Sequence, residues 1–215
     1  MSEQDTLQTR ARLLQAAGQV FADVGYRDAT VRQICQLAEA NIAAVNYHFG
    51  GKDELYAEVL QMHFADTADM DRAGGASTAP PEHQLTQFVA LTVDRMLNET
   101  KPAWQAKLAA KEITDPTPHL DTVAEKFMRP HFARLRGIID GLTPGVPDHR
   151  RRMLALSAMG EIVFYLMCKQ AIIRIVPDQG FGPDDRREIA EHISETILAA
   201  ARELRQGFRK GDGHK

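Results

Sequence analysis

The chain has 215 residues, 44 % of them apolar and 26 % charged, which are the proportions of a soluble globular protein and exclude a disordered or fibrous polymer. That length exceeds one compact helical module, so a small domain joined to a larger one is expected. A formal net charge of -3 excludes a protein that coats nucleic acid through bulk positive charge, so any DNA contact has to be local and geometric.

From Thr9 to Val24, Leu13, Leu14, Ala17, Val20, Phe21 and Val24 recur at helical steps, and Gly25 follows as a stop. Thr30 precedes VRQICQLA as an N-cap for a short second helix. After a turn around Glu39 and Ala40, Asn41 caps a third segment, IAAVNYHF, which Gly50 and Gly51 close. A fourth helix starts near Lys52 and ends in the Gly-, Ser- and Pro-rich stretch DRAGGASTAPP. Further helices are expected near residues 82–99, 103–113, 120–142, 149–176 and 184–207, separated by proline-bearing loops, and no strand is needed. The domain division expected from this pattern is 1–51, 52–207 and a frayed tail at 208–215.

Cys35 and Cys168 fall in different helices without metal or redox spacing and read as reduced, buried small side chains. The N-terminus carries no basic segment followed by an apolar stretch, so no secretory signal is expected and the chain is placed in the cytoplasm, on the nucleoid when bound. Met153 to Val176 is the longest apolar region. Glu161, Lys169, Gln170 and Arg174 interrupt it, so it is read as a buried helix and no membrane partner is expected.

Two short helices joined by a tight turn behind a longer helix form the arrangement that lays the second of the pair in the major groove. Val31, Ile34, Cys35, Ala38, Val45 and Phe49 supply its inward side, leaving Ile42, Ala43, Ala44, Asn46 and Tyr47 outward. Small side chains let a helix backbone approach the groove and Asn can pair with adenine, whereas an ordinary solvated face would carry more charge. From Arg10 to Leu55, with LLQAAGQVFADVGYRDATVRQICQLAEANIAAVNYHFGGKDEL, the chain closely resembles the DNA-binding domain of the TetR family of repressors. Carrying the resemblance are the helix-one ladder, the Gly25-Tyr26 corner, Thr30, the Ala38 turn, and Tyr47-His48-Phe49 with Lys52. Two positions depart from the family pattern: Glu39 stands where Gly is usual in the turn, and Asn46 where Tyr is usual. Farther on, KEITDPTPHLDTVAEKFMRPHF is similar to the CecR-type ligand-binding domain of one TetR subgroup.

The resemblance implies an all-α fold, with an N-terminal three-helix helix-turn-helix domain followed by a larger helical domain for ligand binding and dimerisation. It implies that Thr30, His48 and Lys52 touch backbone phosphates, that Arg32, Asn46 and Tyr47 reach base edges, and that Ala43 and Ala44 lie against thymine methyls. Each role has a plainer alternative: Arg32 as a solvated charge, His48 as a core histidine, Tyr47 as a packing residue, Lys52 as the ion-pair partner of Asp53 or Glu54.

In the larger domain, Phe88, Trp104, Leu108, Phe127, Phe132, Phe164 and Met167 lie on apolar faces that are core first and pocket lining second. Lys111, Glu112, His119 and Glu161 are polar groups beside those faces that either pair internally or meet an effector. Glu112, Asp115, His119 and His131 lack a recognised metal spacing, so neither metal nor cofactor is expected. The last two helices carry more apolar surface than one chain buries, which implies a second copy as partner, and in TetR proteins such helices form the subunit interface. The expected partners are therefore double-stranded operator DNA, a second copy, and a small, largely apolar effector that releases a repressor. An architectural DNA-binding protein without an effector is the alternative. An all-helical enzyme is disfavoured by the lack of a nucleophile elbow, phosphate loop or paired carboxylates.

Overall fold

The computed structural model describes residues 3–73, 78–98 and 102–211, and every regular element among them is helical. In chain order these are α1 (Glu3–Asp28), α2 (Val31–Leu37), α3 (Ile42–Phe49), α4 (Lys52–Ala73), α5 (Pro81–Leu97), α6 (Ala103–Thr114), α7 (Leu120–Val123), a π-helical turn (Ala124–Met128), α8 (Arg129–Leu142), α9 (Asp148–Ile175) and α10 (Pro183–Gly211). The chain divides into two compact units, Met1–Asp69 with Thr100–Met128, and Met70–Glu99 with Arg129–Lys215.

In the first unit, Leu13, Ala17 and Phe21 of α1, Ile34 of α2, Val45 of α3 and Leu55, Val59 and Leu60 of α4 form one core with Leu108 of α6. Residue 51 lies within this compact unit, and α4 and α6 share its core with α1 to α3. α6 lies against α1 so closely that a Cβ on Gly18 would stand 2.5 Å from the Trp104 ring. Gly25 breaks α1 where expected, at φ 87° and ψ 165°, although one further turn continues to Asp28.

In the second unit, α5 packs on α8, α9 and α10 around Phe88, Leu135, Ile139, Ile162, Ile193 and Ile197. Four observations correct the sequence reading here and at the ends. The expected helix 120–142 is interrupted at residues 124–128 by the π turn, just before Pro130, whose missing N–H cannot complete a regular α ladder. α4 runs on to Ala73 within the expected loop, residues 74–77 lying outside the described residues. α10 continues to Gly211 through the start of the expected tail, and residues 212–215 lie outside the described ones. Cys168 is only half-buried, although both thiols are free.

α9 corrects the reading most, because it is not a buried helix. It is long and apolar enough to cross a membrane by length and composition, yet only 17 % of its most apolar window is buried. Leu154, Ala155, Ala158 and Ile162 face the core, while Met153, Leu156, Phe164 and Met167 are exposed on the other side.

Candidate nucleic-acid interface

The α2–turn–α3 segment is held by local hydrogen bonds that its sequence specifies. Thr30 caps α2 through a reciprocal box: its hydroxyl accepts from Gln33 N at 3.2 Å and its own N–H donates to Gln33 Oε1 at 2.9 Å. Asn41 caps α3, its Oδ1 accepting from Ala43 N at 2.9 Å, and Gly50 closes α3 in the left-handed region at φ 90°. Between the helices, Ala40 N donates to Cys35 O at 2.9 Å, a reversal that needs a left-handed residue at position 39. Glu39 takes that conformation at φ 50°, in the place where the resemblance led us to expect glycine. For an L-residue this conformation costs about 1–2 kcal/mol. Cys35 reinforces the turn from inside, its thiol donating to Asn41 O at 3.6 Å, and burial raises its pKa.

This scaffold fixes which face of α3 meets solvent. Val45 and Phe49 are buried, while Ile42 (53 % exposed), Ala43, Asn46 and Tyr47 (74 % exposed) point outward and Ala44 is half-buried. His48 is half-buried with its ring beside Tyr47 and Phe49, at centroid distances of 5.0 Å and 6.0 Å. Arg32 is exposed on α2. Thr30 is exposed as well, but its hydroxyl already serves the cap. The Lys52 ammonium stands 4.7 Å from the Tyr26 ring centroid and donates to Arg27 O at 3.3 Å. Thr30 at the N-cap of α2, Arg32 on α2, Ala43, Asn46 and Tyr47 on α3 and Lys52 at the start of α4 thus lie on the helix-turn-helix and the turn that follows it.

Beside Lys52 lies a polar cluster whose members are far apart in the sequence. Tyr26 donates to Asp53, and His119 Nε2 sits 3.2 Å from the same carboxylate oxygen. These two donors, Tyr26 foremost, hold the Asp53 pKa below the usual carboxylate range, while Asp53 pushes Tyr26 up to about 12. Glu112, only 1 % exposed, accepts from the Tyr56 hydroxyl and from Thr117 N at 3.1 Å and Oγ1 at 2.8 Å. Burial and this carboxylate raise the Tyr56 pKa. Tyr56 and Thr117 carry no signal in the sequence; Tyr26 is marked there only as part of the Gly25-Tyr26 corner, and Asp53 only as a possible ion-pair partner of Lys52. A single sequence holds no signal for hydrogen bonds spanning 56 or 66 residues.

The residues considered for an effector pocket divide between the two units. Trp104, Leu108, Lys111, Glu112, His119 and Phe127 belong to the first. There Trp104 Nε1 donates to Gln15 at 3.3 Å, Lys111 donates to Asp23 O at 3.3 Å, and Phe127 stacks on Phe64. Phe88, Phe132, Glu161, Phe164 and Met167 belong to the second unit. In that unit Phe88 is buried and stacked on His131 at 4.6 Å, and Phe132 is partly buried against the core. Glu161 is half-buried with its pKa raised by burial, and Phe164 and Met167 are exposed. A groove of about 500 Å³ opens between α9 and α10, lined by Met153, Leu154, Ser157, Leu204 and Phe208 among others. Among the described residues no group of three or more His, Cys, Asp or Glu side chains is placed to hold a metal ion.

Two family models match the chain. One describes bacterial regulatory proteins of the tetR family and covers residues 13–59, and the other is the C-terminal domain of the HTH-type transcriptional dual regulator CecR, over residues 81–203. The HTH-type transcriptional regulator BetI 1 of Chromohalobacter salexigens is 34 % identical over 199 residues, 88 % of this chain and 90 % of that protein. The CecR protein of Shigella flexneri is 25 % identical over 212 residues, 94 % of this chain and 93 % of its own. Among solved structures, the transcriptional regulator FadR from Bacillus subtilis in complex with stearoyl-CoA has a TM-score of 0.66 at 13 % identity, covering 88 % of this chain and 98 % of that one. The fatty acid degradation regulator FadR from Bacillus halodurans has a TM-score of 0.63 at 15 % identity, with 88 % and 94 % covered. At such identities the likeness to these structures is one of fold.

Proposed function

Because the chain belongs to the TetR family of bacterial transcriptional regulators, we propose that it binds operator DNA as a homodimer and represses transcription until a small effector releases it. The observation that carries the DNA half of this reading is the exposed face of α3. A helix capped by Asn41 offers isoleucine, alanine, asparagine and tyrosine to solvent, with a half-buried histidine and no Asp, Glu, Lys or Arg. Such a face lets the backbone approach a major groove while Asn46 and Tyr47 meet base edges and Ala43 and Ala44 meet thymine methyls. Arg32 reads one further base, and Lys52 and His48 hold phosphates that set the register.

The homodimer half rests on α9. Its exposed side chains Met153, Leu156, Phe164 and Met167, with Gly160 between them, follow the three- and four-residue steps of a helix-packing seam. A second copy covers that seam and sets two recognition helices about 34 Å apart, the repeat of successive major grooves. As effector we infer a small, largely apolar molecule, a class that includes acyl chains such as the one held by the Bacillus subtilis FadR of the same fold. Its binding shifts the half-site separation with a coupling of about 1–3 kcal/mol.

Selection of duplexes from a random-sequence library by the full-length protein tests the DNA reading. The expected product is a two-fold related pair of half-sites, and the Arg32→Ala variant then loses about 1–3 kcal/mol on that duplex and relaxes preference at one position per half-site. Absence of any enriched sequence contradicts the reading.

A further inference from the structure

Lys52 is the first residue of α4 and shares its first turn with two carboxylates, Asp53 and Glu54. Its ammonium nevertheless sits over the face of Tyr26 and donates to the Arg27 carbonyl, so its place depends on where Tyr26 is held. Tyr26 is held at its hydroxyl, by Asp53, and the same Asp53 oxygen is approached by His119 Nε2 at 3.2 Å. His119 is in turn fixed from behind: its backbone N–H donates to Thr117 Oγ1 at 3.2 Å, and Thr117 is anchored on the buried Glu112 carboxylate. The rings of Tyr26 and His119 meet edge to face at 6.0 Å, so the two side chains also pack on one another. All of these groups lie within the first compact unit.

We propose that His119 is a positioning residue for DNA binding: through Asp53 it fixes Tyr26, and the Tyr26 ring holds the Lys52 ammonium ready for a backbone phosphate. The link also gives Asp53, a carboxylate one residue from the phosphate-seeking ammonium, two hydrogen-bond donors that temper its charge. His119 reaches no DNA itself. Its effect passes through Asp53 and Tyr26, and it rests on the phosphate role of Lys52 proposed above.

The test has one arm without DNA and one with it. In the full-length protein with its lysines reductively dimethylated, the Lys52 methyl signal is assigned by its loss in Lys52→Arg and carries an upfield ring-current shift from Tyr26. His119→Ala moves that signal to the position of an ordinary exposed lysine, and His119→Gln, whose amide still donates to Asp53, keeps it shifted. Tyr26→Phe retains the packed ring, removes only the hydroxyl, and moves the signal in the same direction as His119→Ala. A Lys52 signal unchanged in both His119→Ala and Tyr26→Phe overturns the link.

In the second arm, affinity for the library-selected duplex falls about tenfold in His119→Ala with the salt slope reduced by about 1, as in Lys52→Met, and His119→Gln restores both. Combining His119→Ala with Lys52→Met costs no more than Lys52→Met alone. Losses that multiply in the double variant overturn the positioning role. A wild-type affinity for Lys52→Met removes the phosphate role of Lys52, and with it the use of the link in DNA binding, and the first arm still shows whether the link itself exists.

Discussion

α3 and α9 each leave one side in water, and the two sides are made of different material. On α3 the outward residues are Ile42, Ala43, Asn46 and Tyr47, where small and hydrogen-bonding groups leave room for a hydrated, polar groove. On α9 they are Met153, Leu156, Phe164 and Met167, which offer no hydrogen bond and gain most from being covered by another apolar surface. Exposure alone does not distinguish these fates, since Ile42 and Phe164 are equally exposed at 53 %. Neighbours distinguish them. Ile42 stands beside alanine and asparagine, whereas Phe164 belongs to a seam that runs along the helix.

The largest effect is expected from converting one face into the other. Phe164→Glu places a carboxylate in the α9 seam without touching the core behind it, and burying that charge between two copies costs several kcal/mol. Sedimentation should show a monomer at concentrations where the wild type is a dimer, with helical content unchanged. A dimer of undiminished stability would place the partner elsewhere.

Next in size is the polar cluster that ties α6 to α4. Tyr56→Phe leaves the buried Glu112 carboxylate with Thr117 as its remaining donor and should lower stability by about 1–3 kcal/mol in urea denaturation. A loss below about 0.5 kcal/mol would mean that Glu112 finds water in place of the phenol.

The same cluster predicts an alkaline response. Tyr26 keeps its proton to about 12 in the folded chain, against about 10 when unfolded, so the folded state binds more protons between those values and stability falls as the pH rises through that window. Tyr56 adds to the effect in the same direction. Urea midpoints followed from pH 8 upward should decline above about 10, and less steeply in Tyr26→Phe. An identical decline in both proteins would deny Tyr26 any part in it.

The smallest effect concerns the turn itself. Glu39→Gly removes the left-handed strain at φ 50° but adds freedom to the unfolded chain, so a net gain of up to about 1 kcal/mol is expected by thermal unfolding. A loss of stability would mean that the Glu39 side chain contributes more than its backbone costs.

The helix-turn-helix was legible in the sequence because its signals are local. Thr30 and Asn41 cap the helices they precede, Gly50 ends α3, and the apolar steps of α1 from Leu13 to Phe21 fall where the core lies, whereas Val24, expected on the same face, is 41 % exposed. The Glu39 departure from the glycine expected of the family is visible in the structure as a positive φ, so even that anomaly was a local one. Long-range pairing was not legible. His119 and Glu112 stood out as polar groups beside apolar faces, but their partners Asp53 and Tyr56 are brought to them only by the packing of α4 and α6 in one core. α9 was legible in part: its apolar excess over what one chain buries shows in the composition, but which of its sides meets this chain's own core does not, and the reading of it as a buried helix failed there.

In the proposed function, operator recognition needs both faces together, two α3 helices spaced by a second copy docked on α9. The most direct test is the stoichiometry and affinity of the full-length protein on its library-selected duplex, compared with Phe164→Glu. Two wild-type chains should occupy each duplex cooperatively, and the variant, with α3 unaltered, should bind at least a hundredfold more weakly. A monomeric Phe164→Glu protein that occupies the same duplex with wild-type affinity would contradict the account.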